Sequence, residues 1–466
     1  MKYLFPFLLI LTLASCKSYI DLKPLSENSV DNFYKTESDI NQGVVATYDG
    51  IQTLMRPGYL DHFGEVRSDN SYNFATTPVG GAYADFDNFN LTSANTYLNN
   101  FWHSSYTAIQ RANIVLNRID AINMDENLKR IRKGEVKFLR ALAYFYLVQI
   151  WGDVPLVVDE TKDPMSFIGQ QRTPAQQIYN QIITDLGEAA EMLPQTYSAT
   201  EEGRVTKSAA DALLARVYLV RKDFPKVLEY TNKVISAAKH TLDKDYSNIF
   251  RYSGKSDEVI FKISFKSGTN SEGFPYLNVN HDYNNTASRD LMESYKNDPR
   301  LAANVKESGI KTYYSTKIHN ENVGADNTID IKIVVLRYAD ILLMKAEALN
   351  ETGFPNSEAL NLLNQVRTRF TANQPIVQSQ LSSKKDWQNV LMHERRIEFA
   401  FENLRWFDLV RTDLAKEVMT EKRFGGDRTN SASALPYTFA DRDLLFPVPQ
   451  VQIDASGGSL AQNPGY

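Results

Sequence analysis

The chain has 466 residues, 43% of them hydrophobic, with 51 Lys and Arg against 56 Asp and Glu for a formal net charge of -5. That length is ample for a large core, and the interspersed charges leave no basic tract of the kind that tracks phosphates, so no nucleic-acid partner is expected. With one cysteine in the whole chain there is no disulfide framework, and packing must hold the fold.

At the amino end, Lys2 precedes an apolar run from Tyr3 to Leu13, followed by the small pair Ala14 and Ser15 and then Cys16. This is the layout of a secretory signal, too short to span a bilayer. Leu13-Ala14-Ser15-Cys16 resembles the lipobox of bacterial lipoproteins, in which the thiol receives a diacylglycerol unit and becomes the new amino terminus. On this reading residues 1–15 are a signal peptide and the mature chain, 16–466, is lipidated at Cys16. Two or three acyl chains anchor stably where one holds only marginally. The competing reading is an ordinary signal followed by an unpaired cysteine, a liability in an exported protein. No later apolar run reaches membrane-spanning length.

From Asn100 onward apolar residues recur at helical spacing. Phe101, Ala108, Ile109, Ala112, Val115 and Ile119 make one stripe, which makes Trp102 a core residue. The next helix, through GEVKFLRALAYFYLVQIWGDVP, is apolar almost all round, stops at Gly152 and should be buried. Two clearer pairs follow. In the first, Ala210, Leu213, Leu214 and Val217 precede a turn capped by Asp223 and a second stripe of Val227, Tyr230 and Val234. In the second, Ala339, Leu342, Leu343 and Ala346 stop at Gly353 before Ala359, Leu362, Leu363 and Val366. Alanines at the crossings suit tetratricopeptide-like hairpins, but the fixed repeat is missing because irregular segments intervene. The expected architecture is therefore mostly α: helix pairs forming one interwoven domain with minor β and two long loop insertions, near 57–100 and 267–328. Both insertions are rich in Gly, Asn, Asp, Tyr and Phe and show no sustained periodicity.

Several blocks carry a resemblance. Phe101-Trp102 through Asn113, GEVKFLRALAYFYLVQIWGDVPLV, GRVTKSAADALLARVYL, Asp298-Pro299-Arg300, RYADILLMKAEALNE, HERRIEFAFENLRWFDLVR, LLFPVPQ and the terminal QNPGY occur together and in order. In this the chain resembles the SusD/RagB family of outer-membrane lipoproteins. The resemblance implies a lipid-anchored protein on the outer membrane, facing the cell exterior. There it would bind substrate as the lid of a SusC-like TonB-dependent transporter. Only Cys16 is carried over by motif, because the family's shared blocks are chiefly scaffold.

A sugar offers an apolar C–H face and a rim of hydroxyls, which call for aromatic planes beside Asn, Asp and Arg. The first loop offers Arg67, Asp69, Asn70, Tyr72 and Phe74, and the second Tyr276, Asn280, His281 and Tyr283. The expected cargo contacts are Asp69, Asn70, Tyr72, Tyr276 and Tyr283, with Arg67 as a hydroxyl or carboxylate partner. The bland alternative tucks the aromatics under the scaffold and leaves Asn and Asp to the turns.

Glu394, Glu398 and Glu402 step along one helical face among arginines, which reads first as an ion-pair lattice and second as acid/base or metal chemistry. No zinc-protease motif follows His393-Glu394, because Ile397 stands where the second histidine belongs. Gly254-Lys255-Ser256 lacks the first glycine of a phosphate loop, its place being taken by Ile249. Asp282, Asn284, Thr286, Asp290 and Glu293 fall at calcium-loop spacing, but Ala287 replaces the required glycine, and Ser288 or Asp290 serves better as a helix cap. No metal, cofactor or catalytic residue is assigned. The leading function is capture of an oligosaccharide for delivery to the transporter. Three rivals stay open: a peptide cargo, a glycosidase whose two carboxyls carry no motif, and a scaffold that binds only proteins.

Overall fold

A computed structural model describes residues 33–56, 59–72, 78–268, 274–275, 285–307, 313–317, 328–421 and 439–466. Helix α1 (Glu37–Leu54) opens it, followed by a π-helical turn (His62–Val66), strand β1 (Ser71–Tyr72) and α2 (Pro78–Asn88). Next come α3 (Thr96–Arg118), α4 (Glu126–Trp151), α5 (Ala175–Met192), α6 (Lys207–Val220) and α7 (Phe224–Ser236). The middle of the chain holds β2 (Val259–Phe265), β3 (Phe274–Pro275), β4 (Thr286–Ala287), α8 (Arg289–Tyr295), α9 (Arg300–Asn304) and β5 (Val305–Glu307). It continues through β6 (Tyr313–Ser315), β7 (Thr328–Ile329) and β8 (Ile331–Arg337). Helices α10 (Tyr338–Thr352), α11 (Ser357–Thr368), α12 (Lys384–Glu398), α13 (Arg405–Arg411), α14 (Ala415–Glu421) and α15 (Gln450–Ala455) complete the fold.

The helix boundaries follow local chemistry. The Asp125 carboxylate accepts the Leu128 N–H at 2.8 Å to start α4, and Gly152, at φ 71°, ends it where the left-handed backbone favours glycine. Thr206 caps α6, Asp223 caps α7 and Asn356 caps α11. The expected stripes are buried: Ala210, Leu213, Leu214 and Val217 in the first pair, and Ala339, Leu342, Leu343, Ala346, Ala359 and Leu363 in the second, are inaccessible or nearly so. Each helix packs on the next, α3 on α4, α4 on α5, α5 on α6 and α6 on α7. The α10–α11 hairpin then stacks directly on α7, although strands β2 to β8 lie between them in sequence. Where α1 crosses α3, a Cβ on Gly50 would lie 2.9 Å from that of Ala108, so glycine is what allows the backbones to approach.

The largest core cluster draws on residues from Ile51 to Leu460. At its centre Trp151 meets Trp102 with ring centroids 5.0 Å apart and Phe63 at 5.8 Å, and its indole N–H donates to Pro447 O at 2.9 Å, drawing the C-terminal segment onto the helices. Trp102, 1% exposed, is core as expected. Among the described residues the strands form four antiparallel pairs, of which β2–β8 is the longest, running from Val259 opposite Arg337 to Phe265 opposite Ile331.

The first insertion is more ordered than its composition implies. The π-helical turn, α2 and the start of α3 at Thr96 all fall within 57–100. In α2 the sequence PVGGAYADFDN has two glycines and two aspartates in eleven residues, so its helical period is weak and packing decides it.

Candidate functional site

The two loop-bearing regions meet at one place. Strand β1 pairs with β4 so that Ser71 faces Ala287 and Tyr72 faces Thr286, which brings one region against the other across more than 200 residues of chain. Strand β6 packs beside β4. Its Tyr313 rests on a small apolar cluster of Leu291, Tyr295, Ile397 and Phe401, and Tyr314, like Tyr72, is partly exposed. A second ladder, β3–β7, sets Phe274 opposite Ile329.

Beneath this junction lies a charged base. The Asp69 carboxylate accepts Arg405 Nε at 2.7 Å and Nη2 at 2.9 Å, and Arg396 Nη2 stands 3.1 Å from its Oδ2. Burial raises the Asp69 carboxyl, but the two guanidiniums overcome it and hold the group well below the usual carboxylate range. Asn70 donates to Glu65 Oε1 at 2.8 Å and accepts from Arg396 Nε at 2.9 Å. Ser288 closes the network from the other region: its N–H donates to Asn70 O at 2.8 Å, and its hydroxyl to Asp69 O at 2.6 Å while also capping Leu291. Arg67 is fully buried, with its guanidinium 3.7 Å from the Phe89 ring centroid and Nη2 donating to Asp443 O at 2.9 Å.

Of the residues expected to touch cargo, Arg67, Asp69 and Asn70 are therefore at most 4% exposed and give their polar groups to the protein itself. They form the frame on which the loops stand. Tyr72 sits at the junction. Tyr276, Tyr283 and Cys16 lie outside the described residues. The residues that anchor the junction but were not expected to are Glu65, Arg396, Arg405 and Ser288. The two arginines gave a signal in the run HERRIEFAFENLRW, and Ser288 gave one as the expected helix cap, which it is; Glu65 gave none.

The row of glutamates is an ion-pair lattice. Glu394 and Glu398 hold Arg300, Glu398 also holds Arg337 at 2.7 Å and Arg369, and Glu402 holds Arg337 at 2.8 Å and Lys317 at 2.6 Å. Burial raises Glu398, yet Arg369, Arg337, Arg300 and Lys317 together bring its carboxyl far below the usual range. An ionised, fully partnered carboxylate is a structural group, not a general acid. At the calcium-like spacing, Thr286 is part of β4 and Asp290 pairs with Arg396 at 2.7 Å. Among the described residues, no three His, Cys, Asp or Glu side chains are grouped to hold a metal.

Stacked helix pairs that carry the roots of aromatic insertions on a rigid ionic base define a loop-presenting binding scaffold. Residues 18–219 match a family model described as starch-binding associating with outer membrane, and residues 281–466 match the SusD family model. The chain belongs to the SusD/RagB family. It is similar to SusD-like protein P2 of Formosa agariphila, at 27% identity over all of both chains. A laminarin-binding SusD-like protein shares its fold with a TM-score of 0.78 and 25% identity, over 93% of this chain and all of that one. Surface glycan-binding protein A of Bacteroides thetaiotaomicron, solved with laminarihexaose, superposes with a TM-score of 0.77 at 22% identity, over 92% of this chain and all of that one.

Proposed function

We propose that the protein is a surface lipoprotein, anchored through Cys16 and facing the cell exterior, that captures an oligosaccharide at the loop junction and delivers it to a partner SusC-like TonB-dependent transporter without altering a covalent bond. The observation that carries this reading is the β1–β4 ladder, which brings two aromatic-rich insertions to one place on a rigid base. Family membership and the glycan ligands of the laminarin-binding and laminarihexaose-bound relatives support it. Tyr72 at the junction, with Tyr276 and Tyr283 from the second insertion, would supply the aromatic planes against which pyranose faces stack.

Calorimetry with a glycan panel that includes laminarihexaose tests this. Loss of one stacking ring removes about 0.5–1.5 kcal/mol, so Tyr72→Ala or Tyr283→Ala should weaken binding roughly two- to tenfold. Unchanged affinity in both variants removes the junction as the site. Shortened products after prolonged incubation would establish hydrolysis instead, and repeated failure to recover a large barrel from detergent-solubilised outer membrane would refute the partnership.

A further inference from the structure

Glu65 lies on the π-helical turn, is wholly buried, and does two jobs with one oxygen. Its Oε1 accepts the Asn70 side-chain N–H at 2.8 Å and the Phe401 backbone N–H at 2.7 Å. The first contact leads through Asn70 O and the Ser288 N–H to β4; the second holds the turn after α12, where Phe401 and Asn403 both adopt positive φ without being glycine. That turn sits hard on the π-helical turn, since a Cβ on Gly64 would fall 2.2 Å from Asn403 O. The other carboxyl oxygen, Oε2, is buried without a hydrogen-bond partner among the described residues.

We propose that Glu65 is the positioning residue of the loop junction, holding β1 and β4 in register through Asn70 as a neutral acid and releasing them as it ionises. The idea deepens the cargo-binding reading by naming what sets the geometry of that site. A neutral acid leaves only an uncharged O–H unpaired at Oε2, whereas a carboxylate at this depth leaves a charged oxygen unsatisfied, which costs far more.

The groups facing it are the ammonium of Lys317 from the end of β6, the guanidinium of Arg405 on α13, the Tyr295 hydroxyl on α8 and the backbone N–H groups of Phe401 and Asn403. On its own element, His62 is turned to Asp61 and the Tyr83 and Tyr97 rings. Lys317 is already committed to Glu402 and to Glu398 O. Burial outweighs the donors and the Lys317 charge, and the Glu65 carboxyl is pushed up to about 7. A group that binds its proton more tightly closed than open favours opening as pH rises. Taking the ordinary value of 4.5 for the open form, the opening constant grows about tenfold between pH 6 and pH 8.

Hydrogen exchange on the full mature chain, corrected for intrinsic rates, reads this directly in peptides covering 65–72 and 285–289. In the wild type, protection there should fall about tenfold from pH 6 to pH 8. Glu65→Gln, which keeps the acceptor and cannot ionise, should show wild-type pH 6 protection at both pH values, and Glu65→Ala should lose it at both. A Glu65→Gln profile that still falls with pH, or full protection in Glu65→Ala, overturns the proposal. Laminarihexaose binding measured on the same three proteins separates the two readings: if no form binds while the exchange pattern holds, the glycan assignment fails and the positioning role stands.

Discussion

Asp69→Asn is the sharpest test of where the frame ends and the binding surface begins. The substitution keeps shape but removes the charge that faces Arg405 at 2.7 Å and Arg396 at 3.1 Å. Arg396 retains Asp290 at 2.7 Å, whereas Arg405, 8% exposed, keeps no other ion pair within bonding distance among those described. Stranding a buried charge in this way typically destabilises by about 3–5 kcal/mol. With an unfolding entropy near 2.1 cal/mol/K per residue, the roughly 380 described residues give about 0.8 kcal/mol/K, so Tm should drop by about 4–6 °C. Differential scanning calorimetry at pH 7 measures it. Replacing both partners, Asp69→Leu with Arg405→Met, removes the stranded charge and should recover most of the loss. A Tm within about 1 °C of wild type, combined with abolished glycan binding, would make Asp69 a cargo contact and refute the buried-base assignment.

Three further outcomes follow from other parts of the structure. Gly64→Ala places a methyl group 2.2 Å from the Asn403 backbone oxygen, which backbone can relieve only by moving; we expect a loss of about 3 kcal/mol or more, seen as a lower urea midpoint. Trp151→Ala empties the centre of the aromatic core and leaves Pro447 O without its donor, so a loss of about 3–5 kcal/mol is expected in the same assay. Glu398 is held below its ordinary 4.5 in the folded chain, so its contribution is complete above that pH and disappears as pH falls toward the folded value. Glu398→Gln should therefore be less stable at pH 7 and show a flatter acid limb below pH 4.5, and an unchanged acid limb would show that the lattice does not govern acid unfolding.

The sequence made the helix pairs legible because their stripes and caps agree. Asp223 sits where the cap was expected, and Gly152 and Gly353 end helices where periodicity stops. The ionic lattice was legible from acids spaced among arginines, but the single helical face holds only for Glu394 and Glu398: α12 ends at Glu398, and Glu402 lies in the turn between the positive-φ residues Phe401 and Asn403. Helices α1 and α5 were not among the expected elements even though Thr36 and Asp39 form a capping box ahead of α1. The candidate contacts Arg67, Asp69 and Asn70 could not be told from loop-surface residues by composition. Their burial depends on Arg396, Arg405 and Ser288, which lie far along the chain, and no local pattern records such pairings. Two-residue strands such as β1 and β4 carry too few side chains for alternation to register.

Those very short ladders have an evolutionary consequence. Each adds only a couple of backbone rungs, while the described elements of the insertions are tied to the helical stack by other contacts, α2 on α3 and α8 on α12, where the Tyr295 hydroxyl donates to Ile397 O. A lineage could therefore vary the side chains at the rungs cheaply, but it could not swap a whole insertion without rebuilding the helix contacts that α2 and α8 make.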